Sequence, residues 1–186
     1  MGWRNKLFGF LQIIAFNLLI FFAWSFPVLS HYETNPEMGP FFEGDIITNP
    51  GNRNGIPGEN YRWKKGIYRF YVPDDYTFKE MWEIYSAILE ITVVTCIEVD
   101  ELLKSGYQDH VYYDRVDDLC ASAVGLQGGR QTIFMAPRCI RYGHGTAIHE
   151  TLHALGFYHE QSREDRDDYV TINYDNILPA DRKNFN

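Results

Sequence analysis

Two histidines and a glutamate in the last quarter of the chain have a spacing that suits metal chemistry. His149 and His153 lie four residues apart, so a helix would place them on one face, one turn from each other. Two imidazoles in this arrangement can bind one metal ion, and zinc is the expected ion for nitrogen ligands. Glu150 follows His149 directly, where its carboxylate can hold a water molecule and take its proton. The segment therefore predicts metal-assisted hydrolysis.

A third histidine, His159, can reach the same ion only if the helix ends before it. A continuing helix would turn His159 by about 240° relative to His153, roughly to the opposite side. Gly156 lies between them, and glycine tolerates the left-handed conformation that ends helices, so the chain can reverse there. Three histidines leave one coordination position for water, which is typical of a catalytic zinc site. The shorter His-Glu-x-x-His pattern also occurs in amphipathic helices with solvated histidines, but the glycine and the third histidine favour the metal site.

The residues around this motif resemble those of a known family. The run Gly145–Glu160, followed by Ser162–Val170, closely resembles the zinc signature of the astacin metalloendopeptidases, which belong to the metzincins. The resemblance implies one zinc ion per chain and Glu150 as the general base, with three zinc ligands: His149, His153 and His159. It also implies an α+β fold, namely a metzincin-like N-terminal subdomain with a twisted mixed sheet, a backing helix and a zinc-binding active-site helix.

Residues 1–30 have the composition of an export signal. Arg4 and Lys6 precede the stretch Leu7–Leu29, which is largely apolar, and small residues near its end suit cleavage. We interpret this leader as a cleaved secretory signal, which predicts a secreted protein. The alternative is an uncleaved signal-anchor that tethers the protein to a membrane, since about 20 apolar residues suffice to span a bilayer.

Residues 31–53 are rich in Pro, Gly and Asn and have no helical period, so they are expected to form an extended pro-segment. It contains Phe42-Glu43-Gly44-Asp45, which by itself indicates only an apolar pair followed by a turn. The element resembles the F-x-G-D motif of astacin proenzymes, and that resemblance implies that Asp45 occupies the zinc position meant for water. A carboxylate is a competent zinc ligand, so Asp45 is the expected latency ligand.

The junction between Arg53 and Asn54 is the expected maturation point, cut by an activating protease. The residues from Asn54 to Trp63 resemble the start of mature astacins. The resemblance implies that the new amino terminus becomes buried and bonds, through water, to Glu160, the residue after the third histidine. A buried carboxylate requires such a cationic partner.

Residues 54–186 are expected to form the peptidase domain, and its periodicities predict elements that support the motif. Alternation predicts a strand over residues 66–72, and further strands are expected over 96–99 and 110–113. Apolar residues at helical spacing predict a helix over 78–95, with Thr77 as N-cap and Glu80 completing a capping box. His110 lies outside the motif and is expected to be a core or surface histidine.

The glycine-rich segment 125–130 is expected to connect two strands. A phosphate-binding loop is the alternative, but the Lys-Ser/Thr pair of a P-loop is missing and no helix is predicted next. A strand is expected after it, and resemblance to astacins implies that this strand is a sheet edge that binds extended substrate peptides. Its residues are Gln131, Thr132, Ile133, Phe134 and Met135.

The chain contains three cysteines, an odd number for an exported protein. The resemblance implies a disulfide between Cys120 and Cys139 and a partner for Cys96 beyond Asn186. The methionine-containing turn of the family and its tyrosine are not in this sequence. We therefore expect an incomplete peptidase domain whose C-terminal subdomain is largely missing.

Composition limits the remaining function classes. The net charge is −8 and the chain has no basic stripe, which argues against a nucleic-acid partner. The sequence therefore predicts a secreted zinc-dependent endopeptidase that is made as a proenzyme and acts on peptides or proteins. The alternative is a truncated, catalytically inactive member of this family that binds zinc or peptide without cleaving it.

Overall fold

The computed structural model describes residues 39–47, 58–102 and 108–185. These residues belong to one compact unit that spans Pro36–Asn186. The predicted leader at residues 1–30 and the predicted maturation point after Arg53 lie outside the described residues. The part of the pro-segment that carries Asp45 lies within them.

Within the described ranges, the sheet has six strands in the spatial order β1-β5-β6-β4-β2-β3. Strands β5 and β6 pair antiparallel, and the other neighbours pair parallel, so the sheet is mixed. The strands are β1 (Ile46–Ile47), β2 (Ile67–Tyr71), β3 (Glu98–Glu101), β4 (His110–Asp114), β5 (Cys120–Ala123) and β6 (Arg130–Met135). Together with two α-helices this is the α+β class that the sequence predicted.

The first α-helix, α1, spans Phe78–Val94 and supports the sheet. It begins with the predicted capping box, in which the Thr77 hydroxyl accepts from the Glu80 amide and the Glu80 carboxylate accepts from the Thr77 amide. Four side chains at helical spacing are buried in the core, since a helix presents one face at every third or fourth residue. They are Ile84, Ala87, Ile88 and Ile91.

The second α-helix, α2, spans Gly145–Leu155 and carries the His-Glu-x-x-His motif. Buried polar contacts fix its position against the sheet and the start of the peptidase domain. The Thr151 hydroxyl lies 2.8 Å from the hydroxyl of Tyr113 on β4. The Trp63 indole N–H donates to the Ala154 carbonyl over 2.8 Å. Because buried polar groups are costly to leave unpaired, these contacts favour a single placement of the helix.

The predicted disulfide is confirmed. Cys120 on β5 and Cys139 are bonded, with their Cα atoms 6.0 Å apart. The bond links β5 to the 3₁₀ turn Pro137–Ile140, which leads towards α2. Cys96 is a free, exposed cysteine.

One prediction about the sheet was wrong. The strand of Gln131, Thr132, Ile133, Phe134 and Met135 is not an edge, because β6 pairs with β4 on one side and with β5 on the other. The glycine-rich segment 125–130 does connect two strands, as predicted. The strand before it, Cys120–Ala123, pairs with β6 on the side away from β4. The residues of the pro-segment in β1 then pair parallel with the outer side of β5.

Smaller differences concern element boundaries. The strand predicted over 96–99 begins at Glu98, because the Thr95 hydroxyl accepts from the Ile97 amide and forms a turn after α1. Within the described parts of the chain, no helix has the length and apolar character needed to cross a membrane.

Candidate metal centre

Gly156 ends α2 as the sequence predicted. It has a left-handed backbone conformation with φ of 116°, and its amide donates to the His153 carbonyl. The Phe157 amide donates to the Leu152 carbonyl over 3.0 Å, so the chain turns back immediately after the helix. A side chain at this φ would be strained, which explains why glycine is required here. The reversal brings His159 back towards the helix.

The three histidines of the motif converge. The Nε2 atom of His149 lies 2.9 Å from that of His153 and 3.1 Å from that of His159. Asp45 joins them from the pro-segment, with Oδ2 at 2.9 Å from His149 Nε2 and Oδ1 at 3.3 Å from His159 Nε2. In the described part of the chain these four residues form one group whose ligand atoms all lie within 4.8 Å of one another.

The donor set and its spacing fit a zinc ion. Zinc–nitrogen bonds are about 2.0–2.1 Å long, so two nitrogen ligands of a tetrahedral site lie about 3.3 Å apart. The Nε2 atom of His149 lies 2.9 and 3.1 Å from the other two Nε2 atoms. The carboxylate oxygens of Asp45 lie 2.9, 3.3 and 3.8 Å from Nε2 of His149, His159 and His153. Three imidazoles and one carboxylate also complete the four ligands that zinc prefers. The residues therefore could hold one zinc ion, with Asp45 as the fourth ligand.

A tight turn in the predicted pro-segment presents Asp45 to the histidines. The Gly44 amide donates to the Phe41 carbonyl, and the Ile46 amide donates to the Phe42 carbonyl. Gly44 has φ of 108°, in the left-handed region that favours glycine. Beyond the turn, the Ser122 amide of β5 donates to the Asp45 carbonyl over 3.1 Å, so the aspartate is held by its main chain as well as its side chain. The Asp45 side chain is fully buried.

The charges at the centre stabilise one another. Burial raises the pKa of the Asp45 carboxyl, but hydrogen bonds from the three histidines lower it more, and the net pKa lies well below its usual range. Burial lowers the pKa of His159, whereas hydrogen bonds to Asp45 and Glu43 raise it, and the resulting pKa is about 10. Asp45 is thus held as a carboxylate, which is the form that ligates metals.

The outward-facing ring nitrogens of two histidines have different kinds of partner. His153 Nδ1 lies 2.7 Å from the Phe157 carbonyl oxygen, which belongs to the turn that ends α2. His159 Nδ1 lies 2.8 Å from Glu43 Oε2 in the pro-segment. Sequence reasoning missed Glu43, because 116 residues separate it from its histidine. The only signal was its place inside the F-x-G-D element.

Glu150 is fully buried on α2, between the first two histidines in sequence but outside the group of four ligands. Its charge acts on a neighbour across the core. Burial raises the pKa of Tyr113, hydrogen bonds to Thr151 and Tyr68 lower it, and the charge of Glu150 raises it again, to about 12. Glu150 is therefore a fully buried acid of the motif helix that is not part of the four-residue ligand group.

Other residues singled out from the sequence lie away from the centre. Glu160 is exposed and pairs with Arg163 at 2.7 Å, so it is not the buried carboxylate expected of the mature protein; residue 54 lies outside the described residues. Gln131 is buried, and its side chain binds the main chain of the glycine-rich segment. His110 is fully buried in β4, which agrees with the expectation of a core histidine.

Comparison with known proteins decides the family. The family model described as Astacin, a peptidase family, matches residues 56–186. The chain belongs to the astacin family. Astacins are zinc metalloendopeptidases, so the family and the four-residue group agree on a zinc site.

Individual relatives extend this likeness over most of the chain. Meprin A subunit beta of Rattus norvegicus is 36% identical over 156 residues, which cover 83% of this chain and 21% of that protein. Astacin-like metalloendopeptidase of Mus musculus is 36% identical over 158 residues, covering 82% of this chain and 35% of that protein. The present chain therefore spans about a fifth to a third of the length of these relatives.

A solved structure shares the fold. High choriolytic enzyme 1, a hatching enzyme zinc-protease from Oryzias latipes, aligns with a TM-score of 0.54 and 33% sequence identity. The alignment covers 67% of this chain and 62% of that chain. The metzincin-like α+β fold predicted from the sequence is thereby confirmed.

Proposed function

We propose that this chain is the proenzyme form of an exported zinc endopeptidase, kept latent by its own pro-segment. The observation that carries the proposal is the position of Asp45, whose carboxylate lies within 2.9–3.3 Å of the Nε2 atoms of His149 and His159. A carboxylate in the fourth ligand position leaves no place for the water that a hydrolase needs.

The histidines and Glu150 have different roles in the proposed reaction. His149, His153 and His159 hold the zinc ion, which when bound would polarise the scissile carbonyl and lower the pKa of a water molecule. Glu150 takes the proton of the attacking water and passes it to the amine that leaves. Its place directly after His149 on the motif helix α2 supports this assignment.

The substrate is proposed to be an extended peptide that pairs with a sheet edge. The candidate edge is β5, Cys120–Ala123, because β6 is internal. In the described structure β1 of the pro-segment pairs with this edge through Ile46 and Ile47. Main-chain pairing binds peptides with little dependence on their side chains. Pro-segment and substrate therefore would compete both for the edge and for the metal position.

Activation is proposed to follow cleavage near Arg53, which lies outside the described residues, by a separate protease. Release of residues up to 53 would remove Asp45 and β1 together. Glu160 is proposed to exchange Arg163 for the new amino terminus at residue 54. The leader at residues 1–30 is proposed to direct secretion, with membrane attachment only if it is retained.

The test compares peptide cleavage before and after controlled proteolysis at Arg53. We expect the uncleaved chain to be inactive, and the trimmed chain to cleave an unstructured protein in a reaction that a zinc chelator stops. Glu150→Gln is the matched control, since it preserves shape and removes the base; it should retain one zinc and lose turnover. A trimmed chain that binds zinc but cleaves nothing would contradict the proposal and support a non-catalytic binding protein.

A further inference from the structure

Glu43 is the second acidic residue that the pro-segment places at the metal centre. Its side chain is 3% exposed, and its Oε2 atom lies 2.8 Å from Nδ1 of His159. The Nε2 atom of the same ring faces Asp45 and His149. The ring of His159 is therefore held at both nitrogens by the pro-segment, with Asp45 on the metal side and Glu43 on the outer side.

The backbone at Glu43 supports a specific role for this contact. Glu43 has φ of 51°, one of the few positive φ values at a non-glycine residue in the described structure. A residue other than glycine is disfavoured there, and persists when its surroundings hold it. The turn from Phe41 to Ile46 includes this positive φ at Glu43. The turn directs the side chains of Glu43 and Asp45 to the ring of His159.

The hydrogen-bond partners of His153 Nδ1 and His159 Nδ1 would have different fates at the proposed maturation. His153 Nδ1 contacts the Phe157 carbonyl, which belongs to the peptidase domain and stays with it. His159 Nδ1 contacts a carboxylate that leaves with residues up to 53. Partners of this kind fix the ring orientation of a ligating histidine and raise its basicity, and their loss weakens metal binding.

We propose that Glu43 is a positioning residue that orients His159 for zinc only while the pro-segment is attached. The pro-segment would then promote zinc loading of the uncleaved chain as well as block the centre. The inference rests on the proposed function only in taking the three histidines as zinc ligands. It assigns to Glu43 a role separate from that of Asp45, because Glu43 acts on the ligand ring and does not take a ligand position.

The test measures zinc affinity, with zinc and a competing chelating indicator, on the uncleaved chain. Glu43→Leu keeps a buried side chain of similar size and removes the acceptor, so we expect zinc binding to weaken by about 10- to 100-fold. Glu43→Gln keeps a neutral acceptor and should lose less, about three- to ten-fold, because charge-assisted hydrogen bonds are stronger. Glu59→Gln, an exposed acid away from the centre, is the control and should bind like wild type.

Cleavage after Arg53 supplies an internal check. The trimmed products of wild type and Glu43→Leu have the same sequence, so their zinc affinities should become equal once the pro-segment is gone. Uncleaved Glu43→Leu that binds zinc within twofold of wild type would overturn the inference. If Glu43→Leu does not fold, unchanged affinity in Glu43→Gln overturns it. A wild-type chain that binds no zinc would instead contradict the proposed function itself.

Discussion

Ile46 offers a way to loosen the pro-segment without touching the metal centre. It is 1% exposed, lies next to Asp45 and forms β1 against β5. Ile46→Ala removes three buried carbon atoms, worth about 0.8 kcal/mol each, and leaves a cavity, so the docked pro-segment should be weakened by about 2–4 kcal/mol. At 1.4 kcal/mol per factor of ten, the open population should rise by about 30- to 700-fold.

Amide hydrogen exchange measures this opening directly. The Ser122 amide donates to the Asp45 carbonyl, and the Ile46 amide donates to the Phe42 carbonyl, so both are protected only while the pro-segment is docked. We expect their exchange in Ile46→Ala to accelerate by the factor given above. Amides in the core of α1, such as that of Ile84, should change much less, because they do not depend on β1.

The neighbouring residue is the matched control. Ile47 follows in the same strand and is half-buried, and its side chain points to the other face of the sheet. Ile47→Ala should therefore weaken docking by only about 1 kcal/mol or less. If the Ser122 amide exchanged no faster in Ile46→Ala than in Ile47→Ala, the pro-segment would not be held by this buried contact, and the reasoning would be refuted.

Three further predictions concern the scaffold. Replacing both Cys120 and Cys139 by serine should lower the free energy of unfolding by about 3 kcal/mol, because the disulfide closes a loop between residues that are 19 apart in sequence. Urea unfolding measures this loss, and a loss under about 1 kcal/mol would contradict the prediction. Gly156→Ala should lower the free energy of unfolding by about 1–2 kcal/mol, because alanine is strained in the left-handed backbone conformation of this position. The added Cβ meets no steric clash, so the loss would come from the backbone alone. An unchanged Tm would show that α2 ends differently. The pKa of His144 is raised, chiefly by its hydrogen bond to Glu90, so its stabilising effect is complete below about pH 6.5 and is lost as the pH rises through the higher folded pKa. Because the pair is partly exposed, we expect its contribution to the free energy of unfolding to be less than about 1 kcal/mol. His144→Gln should flatten the pH dependence of stability above about pH 6.5, and an unaltered profile would exclude the pair as its source.

The centre itself was largely predictable from local sequence. His149 and His153 are related by helical periodicity, and Gly156 determines where the chain turns, so the convergence of the histidines follows from residues close together in the chain. The capping box of α1 is likewise local, since Thr77 and Glu80 are three residues apart. Asp45 was expected only through the family resemblance.

Features that depend on distant pairing were not predictable. The strand Cys120–Ala123 consists of small residues that do not favour strands, so its bounds were not predicted. The edge position of β6 was expected only through the family resemblance, and the pairing with β5 contradicts it. Which strand lies at an edge depends on partners far away in sequence. The contact of Glu43 with His159 was also not predictable, because the sequence near either residue does not indicate the other as its partner.

The pro-segment is the element that joins these observations. Within residues 41–47 it supplies one turn and one short strand, and through them it reaches the ligand position, the ring of His159 and the outer side of β5. All three contacts belong to one short segment, so the proposed cleavage near Arg53 would remove them together.

The central claim is that three histidines and the Asp45 carboxylate share one zinc ion in the uncleaved chain. Diffraction from crystals of that chain at the zinc absorption edge tests it most directly. We expect one anomalous peak, bonded at about 2.0–2.2 Å to Nε2 of His149, His153 and His159 and to an oxygen of Asp45. A zinc ion held by other residues, or one from which any of the three imidazoles or Asp45 is turned away, would contradict the account.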